Sequence, residues 1–136
     1  MGAHERAATP THTGRRLRGH PDDPGVYAFY RDGTPVYVGV ATRTGGLQRR
    51  LQREHLNTGH DLSRSAFRRN VAEHLGVATV AQAKQRPSVM TDEQVDAVNA
   101  WVAGCQVAWM ETSSGKQAGQ LEKELKSERR PPLTKR

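Results

Sequence analysis

The chain has 136 residues, 35% of them hydrophobic and 26% charged, which suits one domain with a thin core. A single cysteine, Cys105, excludes an intrachain disulfide and any cysteine-built metal cluster, and the histidines form no HxH or HxxxH pair. Lys and Arg total 21 against 14 Asp and Glu, a net charge of +7 that points to a polyanionic partner, nucleic acid first.

Residues 1–22 show no hydrophobic period and read as a disordered basic tail, in which Arg15, Arg16 and Arg18 either touch phosphates or are simply solvated. The folded domain is expected over 23–136. GVYAFYR (25–31) and VYVGVA (36–41) flank Asp-Gly and predict a β-hairpin. A three-residue loop, Asp32 to Thr34, would place Tyr27 opposite Gly39 and set Tyr27, Phe29, Tyr37 and Gly39 on one face. Gly39 would then leave an open spot beside the phenols. A turn over 42–46 leads into a helix at 46–56, where Leu47 and Leu51 repeat at i+4.

A second amphipathic helix is predicted at 63–76, capped by Ser63 or Ser65, with Ala66, Phe67, Val71 and Leu75 as its apolar stripe. Residues 77–90 are ambiguous; a short helix ended by Pro87 is one reading. Thr91 opens a helix over 91–104, residues 105–112 alternate as a third strand, and a last helix runs from 115 to 130 before Pro131-Pro132. Trp101 and Trp109 read as core residues. Three strands and about four helices make the fold class α+β. No segment approaches the roughly 18 apolar residues of a membrane span, and the N-terminus lacks the apolar stretch of a signal peptide. A soluble protein, cytoplasmic or nucleoid-associated, with no membrane partner is therefore expected.

Three signals in chain order carry the chemistry. GVY (25–27) and YVG (37–39) stand on paired strands, Arg50 follows on the next helix, and Glu122 lies on the last helix ahead of Pro131-Pro132-Leu133. This pattern resembles the GIY-YIG nuclease family over about 24–134. The resemblance implies a three-stranded antiparallel sheet flanked by helices, and cleavage of DNA phosphodiesters with one divalent metal. It implies that Tyr27 and Tyr37 face the active site, that Arg50 holds the scissile phosphate and that Glu122 binds the metal.

Each assignment also rests on the residues themselves. Leu47-Gln48-Arg49-Arg50-Leu51 fits the family's Leu-x-x-Arg-aliphatic run with Arg50, leaving Arg49 toward solvent. Arg50 by itself also reads as an i+4 partner of Glu54. Glu122 borders the stripe of Ala118, Leu121 and Leu125, whereas Glu124 and Glu128 point away, and Glu122 alone also reads as a partner of Lys126. One carboxylate suits Mg²⁺ or Mn²⁺, which keep several waters. Tyr27 is the candidate base or water-positioner, and Tyr37 orients water or phosphate.

Two positions depart from the family pattern. Many members carry His four residues after the Arg; here Glu54 stands there and His55 comes one later. Many end the motif with Asn about twelve residues after the Glu; here the residue is Thr134. Val40, where repair-type members often have Lys, argues against the excision-repair branch. Arg49, Arg53, Arg64, Arg68 and Arg69 are candidate contacts to double-stranded or branched DNA. The alternative is a nucleic-acid-binding module of the same fold with weak or lost catalysis. A homodimer and a partner protein both stay open.

Overall fold

Asp32 and Gly33 take φ values of 53° and 78°, a pair of left-handed residues whose twist matches that of the strands they join. In this computed structural model the described residues are Thr11–Thr13, 23–128 and 131–134. The strands are β1 (Thr11–Thr13), β2 (Gly25–Arg31), β3 (Thr34–Ala41) and β4 (Gln106–Glu111), antiparallel in the order β1-β4-β2-β3. The three expected strands are present. Thr11–Thr13, within the segment expected to be a structureless tail, adds a short fourth strand beside β4. Arg15, Arg16 and Arg18 lie outside the described residues.

The hairpin loop is two residues, not three. A register shift between Phe29 and Tyr30 absorbs the difference, so Tyr27 still pairs with Gly39 and Phe29 with Tyr37.

The helices follow their caps. α1 begins as Gly46–Gln48 and continues as a π-helical turn over Arg49–His55, closed by Leu56 N–H donating to Leu51 O, five residues back, at 2.8 Å. α2 (Ala66–His74) starts at Ser65, whose Oγ accepts from Arg68 N–H at 3.0 Å. The ambiguous stretch contains a short helix, α3 (Val80–Ala83), opened by a capping box of Thr79 and Gln82. α4 (Asp92–Ala103) opens with the same device, Thr91 and Gln94. α5 (Gly115–Glu128) packs across β2 and β3, with Ala118 fully buried.

The core lies against the phenol-bearing face of the hairpin. Phe29 stacks on Phe67 of α2 with ring centroids 4.0 Å apart, and Leu47 and Leu51 of α1 are buried beside them. Each such side chain contributes about 1.5–3 kcal/mol on burial, which holds α1 and α2 over Tyr27 and Tyr37. Trp109 is buried and Trp101 packs on the core's margin, as expected. Residues 131–134 run along β3: Leu133 N–H donates to Val36 O at 2.9 Å, and Asn70 Nδ2 donates to Leu133 O at 2.8 Å. These residues cover part of a strand edge that would otherwise be open. No helix among the described residues is long and apolar enough to cross a membrane.

Candidate active site

β2 and β3 bring Tyr27 and Tyr37 together with their rings stacked, 6.4 Å between centroids. Gly39 lies across from Tyr27, and the spot its missing side chain leaves is filled rather than open. A Cβ built there would strike the Tyr27 hydroxyl. The residue type at position 39 thus decides where that hydroxyl can sit.

The Tyr27 hydroxyl has two partners from α1. Arg50 Nε donates to it at 3.3 Å, and His55 Nε2 lies 2.5 Å away. The other ring nitrogen of His55, Nδ1, is 2.5 Å from Ser65 Oγ at the start of α2. His55 is completely buried, and burial, with Arg50, Arg69 and Arg68 adding to it, holds its pKa well below the ordinary histidine value. It is therefore a neutral imidazole, with one nitrogen donating and the other accepting. Burial likewise pushes the Tyr27 phenol up, helped by neighbouring Tyr37 and opposed by Arg50. Burial raises Tyr37 too, again against the pull of Arg50. Burial works against the Arg50 charge as well, but Tyr27 and Glu54 outweigh it and hold that guanidinium above its ordinary value.

The π-helical turn explains how His55 reaches this place. A wider turn inserts one residue relative to an α-helix, so His55, five positions after Arg50, arrives on the side that a four-residue spacing would serve. Glu54 stays within reach of Arg50 and pairs with it. Spacing alone leaves the role of His55 open, and nothing in the local sequence announces a π turn. Ser65 is legible as a cap but not as the partner of His55.

Glu122 lies close enough to act electrostatically on both phenols. Its Oε2 is 3.1 Å from Lys126 Nζ, four residues on. No group of three or more His, Cys, Asp or Glu side chains gathers among the described residues. A single half-buried carboxylate fits a hard cation that keeps most of its waters and takes its remaining ligands from a substrate. Thr134 Oγ1 accepts from Val38 N–H at 2.8 Å and ties residues 131–134 to β3, next to Gly39.

A family model described as the GIY-YIG catalytic domain matches residues 26–136. The chain belongs to the GIY-YIG family. No curated protein and no solved structure matches it. Membership places the chain in an endonuclease family that acts on nucleic acid and generally uses divalent metals.

Around the GIY-YIG cluster the remaining arginines divide. Arg43, Arg49, Arg50 and Arg64 line a groove of about 430 Å³ that also contains Glu54. Arg49 and Arg53 line an adjoining one of about 350 Å³. Arg43 does not stand out from the sequence, because a lone Arg in a Thr/Gly turn carries no pattern. Arg68, expected on a phosphate path, is instead buried. Its Nη2 donates to Gly59 O at 2.8 Å and to Asn99 Oδ1 at 2.9 Å, and burial pushes its pKa down to about 10. The i+4 spacing to Arg64 suggests a shared outer face, but the loop before α2 folds back over that face. Arg69 is half-buried, donates to Ser63 O, and acts electrostatically on Tyr37 and Arg50. It belongs to the surroundings of the phenols rather than to the outer groove.

Proposed function

We propose that this GIY-YIG domain is a metal-dependent DNA endonuclease that hydrolyses a phosphodiester by in-line attack of water. The observation that carries this reading is the Tyr27 hydroxyl, bonded at once to Arg50 and His55, in a cluster that Glu122 feels electrostatically.

Each residue has a chemical task. The Arg50 guanidinium is a charge-assisted donor for the scissile phosphate. Tyr27 positions the attacking water or takes its proton. A buried phenol is a poor base at rest; neutral His55, with Nδ1–H donating to Ser65, accepts the phenol's hydrogen bond at Nε2 and so fixes where the Tyr27 oxygen presents its lone pairs. Donation from Arg50 favours the phenolate. Tyr37, stacked on Tyr27, orients water or phosphate. Attack on phosphorus breaks the bond to the 3′ oxygen, which leaves as a hydroxyl after protonation, and the 5′ side keeps the phosphate. Glu122 would hold Mg²⁺ or Mn²⁺, whose charge supplies stabilisation of the phosphorane and of the leaving oxygen. Lys126 holds that carboxylate in the free protein and must give it up to the cation. Arg43, Arg49, Arg53 and Arg64 supply contacts to the DNA backbone.

The test is cleavage of supercoiled plasmid by the purified protein and by Glu122→Gln, in Mg²⁺, Mn²⁺ or EDTA. Nicking by the wild type in metal, lost in EDTA and in the variant, is the expected result. Equal cutting by the variant contradicts the metal assignment. DNA retention without any cutting contradicts the enzyme reading and favours a binding module.

A further inference from the structure

The charged residues that line the groove at Arg50 are basic with one exception among the described residues. Glu54 stands among Arg43, Arg49, Arg50 and Arg64. Its carboxylate does not point to open water, since the side chain is 15% exposed. Oε1 pairs with Arg50 Nη1, and Oε2 lies 4.0 Å from Arg49 Nε. Two oxygens of one anionic group thus address two guanidiniums, which is the arrangement a phosphate would adopt there. Arg50 has two roles in this geometry at once. Its Nε donates to Tyr27 while its Nη1 is occupied by Glu54.

A carboxylate fixed on the phosphate-binding guanidinium has a consequence for binding. A phosphodiester can take its place on Arg50 Nη1 only if Glu54 leaves, because two anions on one donor repel each other. We infer that Glu54 is a tethered stand-in for the substrate phosphate, an internal counter-ion that the DNA backbone must displace from Arg50 and Arg49 before the site can engage. The inference rests on Arg50 being the phosphate ligand. Exchange of one anion for another holds the guanidinium in one place before and after binding, which limits reorganisation at the site. It also sets a threshold for engagement: a polyanion offering several phosphates to Arg43, Arg49, Arg53 and Arg64 together can displace Glu54, whereas an isolated phosphate monoester competes against it alone.

The experiment is fluorescence anisotropy of a labelled duplex in EDTA, across salt concentrations, with wild type, Glu54→Gln, Arg50→Ala and the double variant. Glu54→Gln keeps the shape of the side chain, so folding is preserved. This variant is expected to bind about tenfold tighter, with a salt slope steeper by about one, as one more cation is free to replace condensed counter-ions. In the Arg50→Ala background the same substitution is expected to gain less than about threefold, because the displaced contact no longer exists. Two results overturn the inference: equal or weaker binding by Glu54→Gln, and an undiminished gain in the double variant, which would be a general field effect. Plasmid cleavage separates this from the underlying reading. If Arg50→Ala loses cutting while Glu54→Gln fails to tighten binding, the counter-ion role falls alone; if Arg50→Ala cuts as wild type, both fall.

Discussion

Tyr27 and His55 are 28 positions apart in sequence and share a 2.5 Å hydrogen bond at the buried centre of the site. One comes from the first strand of the hairpin, the other from the end of the π-helical turn. Their meeting depends on three local features: the Tyr27–Gly39 pairing, the extra residue in the turn, and Ser65 holding the far side of the imidazole. Each can be disturbed separately.

Gly39 is the first. Gly39→Ala puts a methyl group where the Tyr27 hydroxyl lies. The phenol would have to move away from Arg50 and His55 or the strands would have to part. Overpacking of this kind costs about 1–3 kcal/mol. We expect a lower urea midpoint together with a larger loss of cleavage than the stability change explains, measured at a temperature where the variant is folded. An alanine variant with full activity would show that the hydroxyl is not held where the site needs it.

The imidazole of His55 ties stability to pH. Its folded pKa lies well below the ordinary value because burial, Arg50, Arg69 and Arg68 all oppose the charge. The unfolded chain therefore binds a proton below about pH 6.5 that the folded protein refuses. Stability contributed by neutral His55 is full above that value and falls as the pH drops toward the folded pKa, at up to about 1.4 kcal/mol per pH unit. Urea unfolding from pH 7 to 5 should show this slope in the wild type, and His55→Gln should flatten it. An identical slope in the variant would contradict a buried neutral histidine.

Arg64 and Arg68 should separate cleanly. Arg68 is buried and holds Gly59 O and Asn99, whereas Arg64 is exposed at the groove. Arg68→Met is expected to cost about 1–3 kcal/mol, since it removes the hydrogen bonds by which a buried guanidinium ties the loop at Gly59 and Asn99 of α4 to α2, with the salt slope of DNA binding unchanged. Arg64→Ala is expected to reduce that slope by about one with stability altered by less than about 0.5 kcal/mol. Salt titrations and unfolding curves of the two variants decide it.

These contrasts also show which parts of the molecule are legible in the sequence. Strand parity places Tyr27 opposite Gly39 because a period of two leaves few registers, even though the loop is one residue shorter than parity suggests. Capping residues locate α2 and α4, and alternation locates β4. The Arg50–Glu54 and Glu122–Lys126 pairs are both visible at i+4 spacing, as plain surface pairs, and both exist. Their position beside the phenols is a tertiary fact that spacing does not contain. Arg68 escapes sequence reasoning for a related reason: periodicity reports a helix's faces, not which loop later covers one of them. The π turn leaves no local mark, so His55 looks displaced by one position until the backbone shows why it is not.

What most needs proof is that the Tyr27 hydroxyl takes part in the chemistry and not merely in packing. The measurement is single-turnover cleavage of supercoiled plasmid at saturating protein, comparing wild type with Tyr27→Phe. That substitution keeps the ring and its stacking and removes one oxygen. The rate is expected to fall by about 10²–10⁴-fold, with duplex binding in EDTA within a few-fold of wild type. A variant that binds DNA and cuts it at the wild-type rate would contradict this role, because the group that joins Arg50 to His55 would then be dispensable.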